Sequence, residues 1–165
     1  MPPDVRCRYS IEMHEIRTAT SRDLAHAKKI YDSVIRVADW LPKGSRTKPD
    51  FSSATAGEDI FVSVNANRDV TGFISVWSED SFIHHLYVAS SFRRMGVGTA
   101  LLASLDTWLP RPWTLKCVSA NVHAMAFYKS LGWVSETTEN GPEGEYHLMR
   151  YEKLLEDGKS TAGSG

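Results

Sequence analysis

Apolar and polar positions along the chain change period several times, and each change marks an element. Glu15–Thr18 reads as a short first strand. Leu24, Ala27, Tyr31, Val34, Ile35 and Ala38 then recur at the three- and four-residue spacing of one helical face. Thr20-Ser21-Arg22-Asp23 ahead of them resembles a capping box with Asp in place of the usual Glu. This predicts a helix to about Asp39, stopped by Leu41-Pro42-Lys43-Gly44, with a polar loop to about Gly57. Glu58–Ala66 and Val70–Trp77 read as an antiparallel hairpin around the turn Asn67-Arg68-Asp69. Phe82–Val88 is apolar enough for a buried strand. A helix follows over Gly96–Trp108, ending before Leu109-Pro110-Arg111-Pro112. The strand Thr114–Ala120, a helix from Asn121 to Leu131 and two strands, Trp133–Glu139 and Glu145–Glu152, complete the pattern. One domain over residues 13–155 is expected, with a loose N-terminus (1–12) and a disordered tail (156–165). No internal repeat is visible. Antiparallel strands first, then strand–helix–strand–helix–strand, give an α+β sandwich on a mixed sheet.

The junction between the Phe82–Val88 strand and its following helix carries chemistry. Arg93-Arg94-Met95-Gly96-Val97-Gly98 is a short basic turn with two glycines. The first N–H groups of a helix have no internal partner, and the macrodipole places partial positive charge there. Glycines let backbone approach a phosphate, and two arginines add full charges nearby. A phosphate-bearing ligand is the reading. A dinucleotide fingerprint needs a third glycine three residues after Gly98, where Leu101 stands, and no Gly-Lys-Ser/Thr closes a Walker loop.

The remaining pattern, Arg-x-x-Gly-x-Gly, resembles the acyl-CoA pyrophosphate loop of the GNAT superfamily of N-acetyltransferases. A second segment resembles the same family. Asn121-Val122-His123-Ala124-Met125-Ala126-Phe127-Tyr128-Lys129-Ser130-Leu131-Gly132-Trp133 follows the family's Asn-x-x-Ala-x-x-Phe-Tyr-x-x-x-Gly-Phe pattern, with Trp133 replacing Phe. Locally, Asn121 is a good N-cap, and Ala124, Phe127, Tyr128 and Leu131 share one face. Gly132 reads as a left-handed helix stop. The two motifs stand in the family's order, one helix and one strand apart, and the resemblance covers about Ile16 to Tyr151. It implies a mostly antiparallel central sheet flanked by helices, with acetyl-CoA as co-substrate. It implies that the strands Phe82–Val88 and Thr114–Ala120 splay apart and that the pantetheine arm pairs with backbone near Leu86 and Val88. Leu86, Tyr87, Val88, Arg93, Arg94, Met95, Gly96, Val97, Gly98, Thr99, Asn121, Ala124, Phe127 and Tyr128 are the cofactor-binding positions it implies.

Composition narrows the classes. The 165 residues are 42% hydrophobic, enough for one sizeable core. A formal net charge of -1 argues against a nucleic-acid partner. No apolar run has the length of a membrane span and no signal peptide opens the chain. Cys7 and Cys117 form no metal or disulfide pattern, and Cys117 reads as a small buried hydrophobe. A cytoplasmic protein is expected.

An acyl thioester is already reactive, so the catalyst mainly brings a neutral amine against its carbonyl. Holding two reactants in attack geometry contributes roughly 7–11 kcal/mol. An alkyl amine of pKa about 10.4 costs about 4–5 kcal/mol to deprotonate at neutral pH, so positioning is the larger effect. The leaving thiolate, of pKa near 8.5, gains from a proton donor, and a tyrosine of pKa around 10 can serve. The resemblance gives that role to Tyr128, which also reads as a core tyrosine.

For the base, two histidines stand together. His84 and His85 are consecutive on a strand, so alternation sends them to opposite faces. His84 then groups with Phe82, Leu86 and Val88, and His85 with Ile83 and Tyr87, which rules out a simple paired metal site. His14, His26, His123 and His147 show no ligand spacing, so no metal is expected. The resemblance implies that His84 faces the substrate and takes the amine's proton, directly or through water. It reads equally as a strand histidine bonded in the core. Glu79 and Asp80, in the turn before, compete as base or amine-recognition groups and also read as a solvated turn.

Family members that acetylate ribosomal-protein N-termini carry a glutamate where this chain has Lys116, which tilts the acceptor toward a small-molecule amine. Trp40, Leu41 and the 42–57 loop would shape its pocket, as that region does in the family. A protein or peptide N-acetyltransferase, a non-catalytic CoA-binding regulatory module and a dinucleotide oxidoreductase remain open. Dimers are common in the family, so a homodimer is possible.

Overall fold

The computed structural model describes residues 14–152, so the expected loose N-terminus, the tail and Cys7 lie outside the described residues. The chain divides between Pro110 and Arg111 into two compact units. The first contains β1 (Glu15–Thr18), α1 (Ser21–Arg36), α2 (Lys43–Thr47), α3 (Phe51–Ala54), β2 (Asp59–Val64), β3 (Val70–Trp77), β4 (Phe82–Val88) and α4 (Val97–Ser104). The second contains β5 (Trp113–Val118), α5 (Val122–Ser130), β6 (Val134–Gly141) and β7 (Gly144–Tyr151). Every strand pairing within each unit is antiparallel, β1-β2-β3-β4 in the first and β5-β7-β6 in the second. The α+β expectation is met.

Helix α1 begins as its sequence dictates. The Thr20 hydroxyl accepts from the Asp23 amide, and the Asp23 carboxylate accepts from the Thr20 amide, closing the capping box. Arg17 donates to the same carboxylate. Burial works to raise the Asp23 carboxyl, but Arg17 and Thr20 more than offset it and hold it at about 2. Ala27, Ile30, Tyr31, Val34 and Ile35 form the buried face.

The polar loop expected over 42–57 is in part helical. Short helices α2 and α3 occupy it, the second capped by Asp50, whose side chain accepts from the Ser53 amide. Helices of five and four residues carry too few turns to show a period. What fixes α3 is a tertiary contact: Phe51 is buried edge-on against Tyr31 and Phe73, with ring centroids 5.6 Å away in both cases. Each such aromatic pair adds about 0.5–1.5 kcal/mol beyond area burial.

Cross-strand partners share a face of a sheet, so the register sorts the first unit into layers. Phe73 opposite Tyr87, and Ser75 opposite His85, look toward α1 and α3. Gly72, opposite Val88, looks toward α4. A Cβ there would stand 3.0 Å from Val97 and 3.3 Å from Leu101, so α4 packs almost onto the β3 backbone. In the second unit, Tyr128, Trp133, Tyr151 and Trp113 form a chain of aromatic contacts at 5.4–5.5 Å. Arg111 lies over the Trp113 and Tyr151 rings. Among the described residues, no helix is long and apolar enough to cross a membrane.

Candidate active site

The basic turn has the form that its glycines require. Gly96 is the N-cap of α4 with φ +82°, the left-handed region where a side chain is strained, and Arg94 also takes positive φ at 62°. The first helical bond of α4 runs from the Ala100 amide to the Gly96 carbonyl at 2.9 Å. The amides of Val97, Gly98 and Thr99 therefore precede the i to i−4 ladder. Arg93 and Arg94 are exposed beside them, Met95 and Gly98 are half-buried, and Val97 is buried and anchors the helix. The first amides of the helix, its dipole and two guanidinium groups make this end of α4 able to hold a phosphate. Leu86, Tyr87 and Val88, at the end of β4, pair with Ile74, Phe73 and Gly72 of β3.

In the second unit, Asn121 caps α5, its side chain accepting from the Ala124 amide at 3.2 Å. Tyr128 is 8% exposed, with its ring 5.2 Å from Phe127 and 5.5 Å from Trp133. Ala124, Phe127 and Leu131 are half-buried, and Met125 joins Tyr128 in full burial, so the expected face is wider than its period indicated. Gly132 takes the expected left-handed conformation, with φ +99°.

The two histidines depart from expectation. Ser75 pairs with His85 but Val76 pairs with Ile83, so His84 is the extra residue of a β-bulge. The bulge cancels strict alternation. Ile83, opposite Val76, falls on the face of Leu86, while Phe82, opposite Trp77, falls on that of His85 and Tyr87. The faces inferred from alternation therefore fail at Phe82, Ile83 and His84, whereas Leu86 with Val88 and His85 with Tyr87 hold. The His84 and His85 rings stack at 3.9 Å instead of pointing apart.

A carboxylate that the sequence did not single out completes the group. Glu58, just before β2, places Oε2 2.5 Å from His84 Nδ1 and Oε1 3.9 Å from His85 Nδ1. Its side chain is 6% exposed. Gly57 ahead of it takes φ +79°, and a Cβ there would meet the Trp77 ring at 3.1 Å. Glu79 and Asp80 lie exposed in the turn before β4, and the carboxylate that bonds His84 is Glu58. Only the pairing of β2, β3 and β4 brings residues 26 positions apart together, so local sequence held no signal for it.

The neighbours assign the two rings different roles. His85 is 9% exposed, its Nδ1 2.8 Å from Ser75 Oγ and its ring edge-on to Tyr31 at 5.5 Å. Burial, then the charge of His84, pushes its imidazole down to about 3, so it stays neutral at physiological pH. His84 is 43% exposed and faces an ionisable partner. When Nδ1 of His84 donates to Glu58, the Nε2 lone pair is left as acceptor. Cys117 is buried, its thiol pushed up to about 11, and is inert as a nucleophile.

The His85 shift has a measurable consequence. In the unfolded chain the ring titrates near about 6.5, above its folded value. Falling pH therefore protonates the unfolded state first. This contribution to stability is complete above about pH 6.5 and declines as pH falls toward 3. Between pH 7 and 5 it amounts to about 2 kcal/mol. Denaturant unfolding of His85→Gln should show a loss smaller by that amount over the interval, and an unchanged loss would mean that the ring is not held neutral.

Beside Glu58 lies a cleft of about 470 Å³, lined among others by Leu24, Lys28, Phe51, Thr55 and Ile60. Phe51, Ser52, Thr55 and Ala56 of the 42–57 region are among its lining residues, and Trp40, Leu41 and His84 are not.

Residues 16–133 match the family described as Acetyltransferase (GNAT) family. Solved structures share the fold. Apo YjaB from Escherichia coli is 19% identical, with a TM-score of 0.72, over 86% of this chain and 99% of that one. A GNAT superfamily phosphinothricin acetyltransferase from Sinorhizobium meliloti, in complex with acetyl-CoA, is 18% identical with a TM-score of 0.63, over 84% and 87%. A ribosomal-protein-alanine N-acetyltransferase from Brucella melitensis is 21% identical with a TM-score of 0.64, over 84% and 99%.

Proposed function

This chain belongs to the GNAT family of acetyltransferases, whose co-substrate is acetyl-CoA, and we propose that it transfers the acetyl group to the primary amine of a small molecule by direct attack. The observation that carries this reading is the His84–Glu58 pair on the bulge of β4, whose carboxylate residue also lines the neighbouring cleft. The amine nitrogen attacks the thioester carbonyl. As the N–C bond forms, the amine's proton passes to His84 Nε2, and Glu58 stabilises the imidazolium through Nδ1. The C–S bond then breaks, and the departing thiolate takes a proton from the Tyr128 hydroxyl. The turn from Arg93 to Thr99 holds the pyrophosphate, Leu86, Tyr87 and Val88 line the pantetheine arm, and Asn121, Ala124 and Phe127 complete cofactor binding. Positioning supplies most of the rate and the base a smaller part.

Two of the structural neighbours differ in acceptor: one is named for phosphinothricin and one for a ribosomal-protein alanine. Lys116 supports the small-molecule side. It stands where the N-terminal acetylating enzymes carry a glutamate, and its ammonium lies 5.1 Å above the Tyr146 ring. Free-thiol release from acetyl-CoA across a panel of primary amines and a peptide with an alanine N-terminus tests the reading. We expect amine-dependent release, with kcat/KM for the best small amine at least about tenfold above the peptide. Preference for the peptide would overturn the acceptor class.

A further inference from the structure

We propose that Glu58, His84 and His85 form a binding site for a divalent transition-metal ion of the zinc class. The sequence spacing gave no reason to expect a metal, because alternation separated the two histidines. The bulge reverses that premise: one donor atom from each of the three residues lies within 4.8 Å of the others. The Glu58 side chain is buried, and its Oε1 has no hydrogen-bond partner among the described residues although it lies 3.9 Å from His85 Nδ1. A buried carboxylate oxygen without a partner is costly, and a cation between it and the histidines relieves that cost.

The distances suit such an ion after a small adjustment. Ligands bound to tetrahedral zinc at about 2.0–2.1 Å stand roughly 3.3 Å apart. Here Glu58 Oε2 lies 2.5 Å from His84 Nδ1 and its other oxygen, Oε1, 3.9 Å from His85 Nδ1, one contact on either side of that spacing. His84 is the part free to move, being exposed and on a bulge. At His85 the ion replaces the Ser75 hydroxyl, a rotor that can turn away from Nδ1. Two imidazoles and one carboxylate favour zinc, cobalt or nickel over magnesium and calcium, and three protein ligands leave a fourth position for water. Bound metal occupies the Nδ1 side of His84 and the whole of Glu58. On the reading above it would therefore inhibit acetyl transfer, but binding itself does not depend on that reading.

The direct test is titration of tag-free, metal-stripped protein with Zn²⁺ in competition with a chromogenic chelator, with Co²⁺ absorption as a second probe. One Zn²⁺ per chain is expected, with a tetrahedral-type Co²⁺ visible spectrum that Zn²⁺ abolishes. His84→Ala, His85→Gln and Glu58→Gln should each weaken Zn²⁺ binding at least about tenfold. His26→Ala, an exposed histidine on α1, should leave it unchanged. Because His84 is exposed, His84→Ala is expected to fold even where the two buried substitutions do not, so it decides the matter alone. Absence of stoichiometric binding, or equal Zn²⁺ affinity in His84→Ala, would overturn the site whatever the outcome of the acetyl-transfer assays.

Discussion

Tyr128→Phe is expected to lower turnover by about 10²–10⁴-fold while leaving acetyl-CoA affinity nearly unchanged. The ring is packed between Phe127 and Trp133 and is almost wholly buried, and phenylalanine fills the same volume. What the substitution removes is one hydroxyl. If that hydroxyl protonates the leaving thiolate, the loss falls on the chemical step and not on binding. Steady-state kinetics beside equilibrium binding of acetyl-CoA separates the two, and full turnover in the variant would leave Tyr128 as a packing residue only.

Gly96→Asp should abolish acetyl-CoA binding. Acetyl-CoA bound to the folded state alone raises the melting temperature by mass action, so wild type should show a ligand-dependent thermal shift. Gly96 sits at φ +82° with open space where a Cβ would project. An aspartate there meets no clash in the protein, but it places a negative charge before the first amides of α4. The backbone strain costs roughly 1–2 kcal/mol, so the unliganded variant should still fold. An undiminished thermal shift in Gly96→Asp would refute the assignment of the phosphate site.

Much of the architecture was legible because it rests on local rules. The capping box at Thr20 and Asp23 is in place, β1, β3 and β4 span the expected residues, and the Asn121 cap and the Gly132 stop take the expected conformations. The Arg93–Gly98 turn was legible for the same reason, since its chemistry lies in consecutive residues. Three features were not. Helix α3 exists because Phe51 finds Tyr31 and Phe73, partners that no window around residue 51 contains. The bulge at His84 depends on the register of β4 against β3, and a strand read by alternation has no place for an extra residue. Glu58 reaches the two histidines only through the pairing of β2, β3 and β4, so its position beside them was invisible although the residue stood at the start of an expected strand. The second and third decide what surrounds His84: alternation set it on the face opposite His85, whereas the folded sheet gives it a stacked neutral neighbour and a buried carboxylate.

His84, backed by Glu58, is the proposed acceptor of the amine's proton, and the pH dependence of kcat/KM tests that role most directly. Wild type, His84→Ala and His85→Gln should be compared with one amine, in the presence of EDTA so that no metal occupies the histidines. Only a neutral ring takes a proton, so wild-type activity should rise with pH along a limb set by the base before the amine's own ionisation dominates. His84→Ala should lose that limb and keep residual activity, because positioning survives. His85→Gln should retain the limb, since His85 is already neutral across the range. A limb unchanged in His84→Ala would contradict the assignment, and its loss in His85→Gln alone would move the base to the buried ring.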